Sequence, residues 1–313
     1  MAVKVENISK RYKKGKLALD NISFNVDDGE VFGLLGPNGA GKSTTMKIMT
    51  TILKPTDGRI LVNEEDLQSN PQRIRSKFGY IAQDNSLDEQ LTGRENILLQ
   101  SRLYHLKQSE DRTDEILNLI DLGEDIDIPV SKYSGGMKKR LEIGCALISR
   151  PEILFLDEPT LGLDIEARMD IWNYIRMLNK SYNVTVIVTT HYLEEADVIC
   201  DKIAIIDSGK IVAIGSPNVL KKKVGKEKIE ITFESLDDKD KADSFLKDAG
   251  YVENKQIIDN TMVLIVDDAE SRMFEIYDIL RGKGIRMTGL TNKKVSLDDV
   301  YLYYTGQRFE IQK

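Results

Sequence analysis

Short alternation of apolar and polar residues over Val3 to Ser9 and Leu17 to Val26, broken by Lys13-Lys14-Gly15-Lys16, predicts two strands joined by a turn. Val31-Phe32-Gly33-Leu34-Leu35 does not alternate and reads as a parallel strand covered on both faces. It runs into a glycine-rich loop and a predicted helix from Lys42 to Thr51. Two more strands are expected at Gly58 to Val62 and Phe78 to Ala82. The period then changes: Glu95 to Leu106 and Asp111 to Leu122 carry apolar residues three and four apart, as helices do. Strand signals return at Ile153 to Leu156, Thr185 to Thr189, Ile203 to Asp207 and Lys210 to Ile214. This order predicts an α/β core whose parallel sheet is interrupted by a helical insertion at about 85–150, with a small antiparallel sheet in front.

A second unit is expected after Ser216-Pro217 and the run Lys221-Lys222-Lys223, which reads as a solvated linker; the domains are set at 1–220 and 221–313. Strands are predicted at Lys228 to Phe233, Val252 to Ile258, Met262 to Val266 and Ile285 to Leu290. Helices fall at Lys239 to Ala249, after the capping acids Asp267 and Asp268, and from Ser296 to Tyr304. The order βαββαβ is the split-βαβ, ferredoxin-like pattern of a small α+β domain.

Composition narrows the class. The 313 residues are 41% hydrophobic and 30% charged, ordinary for a globular protein, and no apolar run approaches the length of a membrane-spanning helix. The start, Met1 to Glu6, lacks the apolar stretch of a secretory signal, so a cytosolic chain is expected. A net charge of −7 argues against nucleic acid as partner. Cys145 and Cys200 offer neither a disulfide framework nor zinc spacing and are expected as buried thiols. His105 reads as a solvated side chain, and Trp172 with Ile171 and Ile175 as the core face of a helix.

Gly36-Pro37-Asn38-Gly39-Ala40-Gly41-Lys42-Ser43 fits the phosphate-loop pattern G-x-x-x-x-G-K-[ST], between a predicted strand and a predicted helix. Its glycines allow successive backbone N–H groups to face phosphate oxygens, and the helix beginning at Lys42 adds its positive end. Lys42 is then the ligand of the β- and γ-phosphates, and Ser43 a ligand of Mg²⁺. Ile153-Leu154-Phe155-Leu156-Asp157-Glu158 is an apolar strand ending in two acids, where open α/β sheets bind ligands. Asp157 would hold Mg²⁺ through water and Glu158 would polarise the attacking water.

Tyr133-Ser134-Gly135-Gly136-Met137, followed by Lys138-Lys139-Arg140-Leu141, resembles the LSGGQ signature of ATP-binding cassette (ABC) proteins. Tyr12 is similar to the family's adenine-stacking aromatic, Gln83 to its Q-loop residue, Leu161-Gly162-Leu163-Asp164 to its D-loop and Thr190-His191 to its switch histidine. The resemblance covers almost the whole chain. Tyr133 and Met137 depart from the consensus and, with Arg140-Leu141-Glu142-Ile143 and Ser296-Leu297-Asp298-Asp299-Val300-Tyr301, resemble the daunorubicin-resistance, ABC-2-type exporter branch. Gly144-Cys145 stands where the small-residue pattern varies.

The resemblance implies a P-loop NTPase (RecA-like) core that binds ATP and Mg²⁺. Tyr12, Asn38, Gly39, Ala40, Gly41, Lys42, Ser43 and Thr44 would hold the nucleotide, with Ser134, Gly135 and Gly136 contributed across a head-to-tail dimer. Ser43, Gln83 and Asp157 would serve the metal; Glu158, His191 and Gln83 would serve catalysis. The implied function is an ATPase subunit on the inner face of the cell membrane, powering export of a drug, lipid or glycan-like substrate through a separate ABC-2-type permease. Two alternatives stay open: a cassette acting in DNA repair or on the ribosome, and a chain whose C-terminal unit senses a ligand or braces a dimer.

Overall fold

The computed structural model describes every residue except 14, 84–85, 105–108, 226, 247–249, 251 and 307–313, so His105 lies outside the described residues. The chain divides into two compact units, the first ending at Ile214 and the second beginning at Gly215.

In the first unit, β1 (Val3–Arg11) pairs antiparallel with β2 (Leu17–Val26) and with β4 (Asp57–Val62), to which the two-residue β5 (Glu65–Asp66) is added. The central sheet has the order β10-β9-β3-β8-β7-β6, from β3 (Val31–Leu35), β6 (Phe78–Ile81), β7 (Ile153–Asp157), β8 (Thr185–Thr190), β9 (Lys202–Asp207) and β10 (Lys210–Gly215). Strands β9, β3, β8, β7 and β6 run parallel. Every residue of β3, β7 and β8 is buried, which is why those segments read as apolar runs without alternation. One core joins the two sheets: Val5, Ile8 and Ile22 pack with Phe32, Leu34 and Phe155, together with Met46 and Ile48 of α1 (Lys42–Met49).

The short helix α2 (Pro71–Arg75) precedes β6. The insertion holds α3 (Gly93–Leu103), α4 (Ser109–Ile120) and α5 (Gly135–Leu147), with 3₁₀ turns at Gly123–Asp127 and Val130–Lys132. Gly144 lets α5 approach α4 closely: a Cβ there would lie 2.5 Å from a methyl of Ile120. Helix α6 (Ile165–Tyr182) buries Ile171, Trp172, Ile175 and Leu178, as expected for Trp172, and α7 (Leu193–Ile199) follows β8. Cys145 and Cys200 are free and buried, and burial pushes the Cys145 thiol up to about 12.

The second unit opens with α8 (Pro217–Val224), N-capped by Ser216. The run expected to be a linker is therefore the last turn of a helix: Lys222 and Lys223 face solvent, while Leu220 and Val224 are buried. Then follow β11 (Glu227–Phe233), α9 (Leu236–Leu246), β12 (Val252–Ile258), β13 (Thr261–Val266), α10 (Ala269–Gly282), β14 (Met287–Lys294) and α11 (Leu297–Thr305). The sheet order β12-β13-β11-β14, antiparallel throughout, is the ferredoxin-like arrangement. Ile229, Ile231 and Phe233 of β11 join Ala242, Leu246, Ile276 and Leu280 in one core. On the alternate residues of β11, buried Lys228 donates to Asp299 of α11 (2.6 Å) and pairs with Glu230 (2.8 Å). Asp299 also closes the capping box of α11 with Ser296.

Asp299→Ala leaves the buried Lys228 with Glu230 as its remaining carboxylate partner and removes a cap, so a loss of about 2–4 kcal/mol is expected. Urea denaturation of the intact chain measures it; a loss below about 1 kcal/mol would show that the pair does not hold α11.

Candidate active site

The loop leaving β3 lies flat on its neighbours, and two glycines make that possible. A Cβ on Gly36 would stand 2.1 Å from the Ile206 carbonyl oxygen. Gly41 has φ +117°, and a Cβ there would meet Leu19 Cδ2 at 2.6 Å and the Ala18 carbonyl oxygen at 2.9 Å. Gly41 is also the N-cap of α1, and with no side-chain cap and no acid in its first turn the positive end of that helix suits an anion. Ala40 is buried beneath the loop, Asn38 and Gly39 are exposed at its lip, and Ser43 and Thr44 are half-buried. Tyr12, largely exposed, has its hydroxyl 3.3 Å from Thr44 Oγ1.

Lys42 is only 4% exposed. Its Nζ donates to the carbonyls of Gly36 (2.7 Å) and Pro37 (3.3 Å) and lies 3.4 Å from Glu158 Oε1. Burial lowers its pKa below the ordinary lysine value, and the charge of Glu158 opposes that shift. Glu158 follows β7 with φ +50°, a left-handed conformation unusual for a side-chain-bearing residue. Its N–H is held by Thr189, at 2.9 Å from Oγ1 and 3.2 Å from the carbonyl. The other carboxylate oxygen of Glu158 is 3.2 Å from His191 Nδ1, without hydrogen-bond alignment, so this buried ring nitrogen has no hydrogen-bond partner. Asp157, at the end of β7, accepts from Thr189 Oγ1 at 2.6 Å. Burial raises its carboxyl above the usual aspartate range; the Thr189 hydrogen bond works against the shift and Glu158 adds to it.

A cleft of about 460 Å³ gathers Tyr12, Asn38, Gly39, Gly41, Lys42, Ser43, Thr44, Gln83, Glu158 and His191. Asp157 and Ala40 sit beneath it and are not in its lining. Lys16, Ala18, Pro37 and Leu161 complete the wall. Ser134, Gly135 and Gly136 are not part of it: Ser134 caps α5 by accepting from the Met137 N–H (3.3 Å), and both Ser134 and Gly135 are exposed. Tyr133 is buried and donates its hydroxyl to the Asp125 carbonyl at 2.7 Å, so one of the two residues that depart from the signature consensus anchors the start of α5.

Sequence reasoning missed Thr189, which serves both acids, and Glu142. That buried acid pairs with Lys139 (2.6 Å) and accepts from the Ser86 N–H (3.2 Å), tying α5 to the segment just after Gln83. The available signal was an acid set between two core residues, Leu141 and Ile143.

A parallel sheet that presents a glycine loop, a buried lysine and two strand-end acids in one cleft defines a P-loop NTPase. More narrowly, the chain belongs to the ATP-binding subunits of ABC transporters and is an ATPase of that family. The family "ABC transporter" matches residues 19–161, and "ATP-binding protein DrrA1-3-like, C-terminal domain" matches residues 215–305. The chain is 36% identical to the daunorubicin resistance ATP-binding protein DrrA3 of Streptomyces coeruleorubidus, over 97% of this chain and 96% of the relative. It is 35% identical to the Nod factor export ATP-binding protein I of Sinorhizobium fredii, over 99% and 88%. Among solved structures, cbiO1 from Clostridium perfringens, part of the ABC transporter complex cbiONQ, superimposes with TM-score 0.65 at 29% identity, over 71% of this chain and 94% of that one. The cassette MJ0796, a dimer in a post-hydrolysis state with ADP and Pi, gives TM-score 0.61 at 29% identity, over 68% and 98%.

Because the folded state disfavours ionised Asp157, its charge costs stability above the unfolded pKa, and the cost is relieved as pH falls through the raised folded value. Asp157→Asn keeps the acceptor for Thr189, so it should raise the thermal midpoint of the nucleotide-free chain at pH 7.5. The expected rise is the few degrees that about 1 kcal/mol brings. The gain should shrink on acidification; a midpoint lowered at pH 7.5, or a gain that grows in acid, would contradict the assignment.

Proposed function

We propose that this chain works as one of two cassettes that close head to tail on ATP and power export through a separate ABC-2-type permease, moving a drug, lipid or glycan-like substrate. The observation that carries the dimer is the incompleteness of the cleft: Ser134, Gly135 and Gly136 stand outside its lining, exposed or half-buried. Apolar residues around the loop after β7 support a covering partner, since Leu161 and Met169 are exposed and Ile165 is 80% exposed. No helix among the described residues is long and apolar enough to cross a membrane, and in this reading the permease does the spanning. Leu99 and Leu103 of α3 and Tyr104 just after it are exposed, an apolar patch suited to a permease loop. The chain would therefore sit at the cytoplasmic face of the membrane. The DrrA-type and Nod factor export relatives favour export over the repair and ribosome alternatives.

Mechanistically, Tyr12 offers its exposed ring to the base, and the loop N–H groups with Lys42 receive the phosphates. The Ser43 hydroxyl, the Asp157 carboxylate and the Gln83 amide oxygen would hold Mg²⁺, a hard cation that takes oxygen ligands, and the ion would supply positive charge to the phosphates. Lys42 faces Glu158 at 3.4 Å. A γ-phosphate that takes over Lys42 frees the carboxylate of Glu158 to accept a proton from the attacking water, with His191 beside it. Ser134 and the N-terminus of α5 in the second copy then close the far side of the phosphate.

Glu158→Gln should cut turnover by about 10²–10⁴-fold while retaining ATP, and should form MgATP-dependent dimers in light scattering. Adding Ser134→Arg to that variant should abolish the dimer and leave ATP binding to the monomer. Near-normal turnover in the first variant, or a persisting dimer in the second, would contradict the proposal.

A further inference from the structure

The two loops that carry Glu158 and His191 are bound to each other through a side chain that touches neither. Arg168, in the first turns of α6, donates from Nε to the Leu163 carbonyl of the loop after β7 at 2.8 Å. One of its terminal nitrogens donates to the Tyr192 hydroxyl at 3.2 Å, and its guanidinium carbon lies 4.1 Å from the centre of the Tyr192 ring. Tyr192 follows His191 directly, and their ring centres are 4.2 Å apart. Beneath them Glu195 of α7 accepts from Thr160 of the first loop (3.0 Å) and faces Arg168 at 3.8 Å. The Tyr192 N–H is fixed by Thr190 Oγ1 at 3.0 Å. A contiguous chain of contacts thus runs from the Leu163 carbonyl through a planar cation and an aromatic ring to the imidazole.

We infer that Arg168 is a positioning residue for hydrolysis: by clamping Tyr192 against the Leu163 carbonyl it fixes the His191 ring beside Glu158 and makes the loop after β7 and the loop after β8 move as one body. A guanidinium is needed because the same group must stack on a ring and donate in two directions, which an ammonium cannot do. Since Leu161, on the same loop, is an exposed part of the cleft wall, pressure from a second cassette there is transmitted to His191. This rests on the catalytic role given above to His191 beside Glu158.

The test is steady-state ATPase kinetics of the full chain, with ATP binding and thermal midpoint as controls. Arg168→Ala and Tyr192→Ala should each lower kcat by about 10- to 100-fold with KM for ATP changed less than about twofold. Arg168→Lys should recover little of the loss, and Tyr192→Phe, which keeps the stacked ring, most of it. The double alanine variant should be no worse than either single variant, as for residues acting as a unit. Unchanged kcat, a rise in KM alone, or additive losses would overturn the clamp. His191→Ala separates the two ideas: if it is inactive while Arg168→Ala is normal, only the clamp falls; if it is fully active, the placement of His191 falls as well.

Discussion

Everything in the cleft depends on keeping an ammonium group out of water beside a single close carboxylate. Lys42 is buried, its Nζ rests on two loop carbonyls, and the nearest carboxylate, on Glu158, stands 3.4 Å away. Burying such a pair brings little stability, because desolvation consumes most of the Coulombic attraction. The arrangement makes sense as a site held ready for a stronger anion. The fold supplies the restraint: β3 lies beside β8 and β8 beside β7, so the lysine loop, Thr189 and the two acids converge at the same edge of the sheet. Glu158 is kept in a left-handed conformation by two hydrogen bonds to Thr189, which aims its carboxylate between Lys42 and His191.

Ser134, Gly135 and Gly136 stand outside the lining of the same cleft. The glycine pair at the start of α5 is built for close approach, yet in its own chain Gly135 already abuts Leu163, where a Cβ would lie 2.7 Å from Cδ2. The start of α5 and the loop after β7 are therefore packed together, and the Arg168 clamp ties that loop to His191. One rigid surface then carries both what would be offered to a neighbour and what responds to one.

Much of this was legible in the residues. The apolar runs at Val31–Leu35 and Ile153–Asp157 announce doubly covered strands, and the lysine loop and strand-end acids follow from their spacing. Harder to see was anything decided by contacts distant in sequence. Lys221 to Lys223 resembled a linker because the buried pair Leu220 and Val224 is too short a pattern to announce a helix. The proximity of Glu158 to His191 depends on β7 and β8 being neighbours, which no local period encodes. Thr189, Glu142 and Arg168 act through hydrogen bonds to partners outside their own helix or strand, which no local period announces.

The central claim is that a single chain holds half of a working site. The direct measurement is ATP turnover per molecule over a hundredfold range of protein concentration, with sedimentation reporting the fraction of dimer at each point. Turnover per molecule that climbs in step with the dimer fraction is the expected result. A rate that stays constant down to concentrations where only monomer sediments would contradict the account.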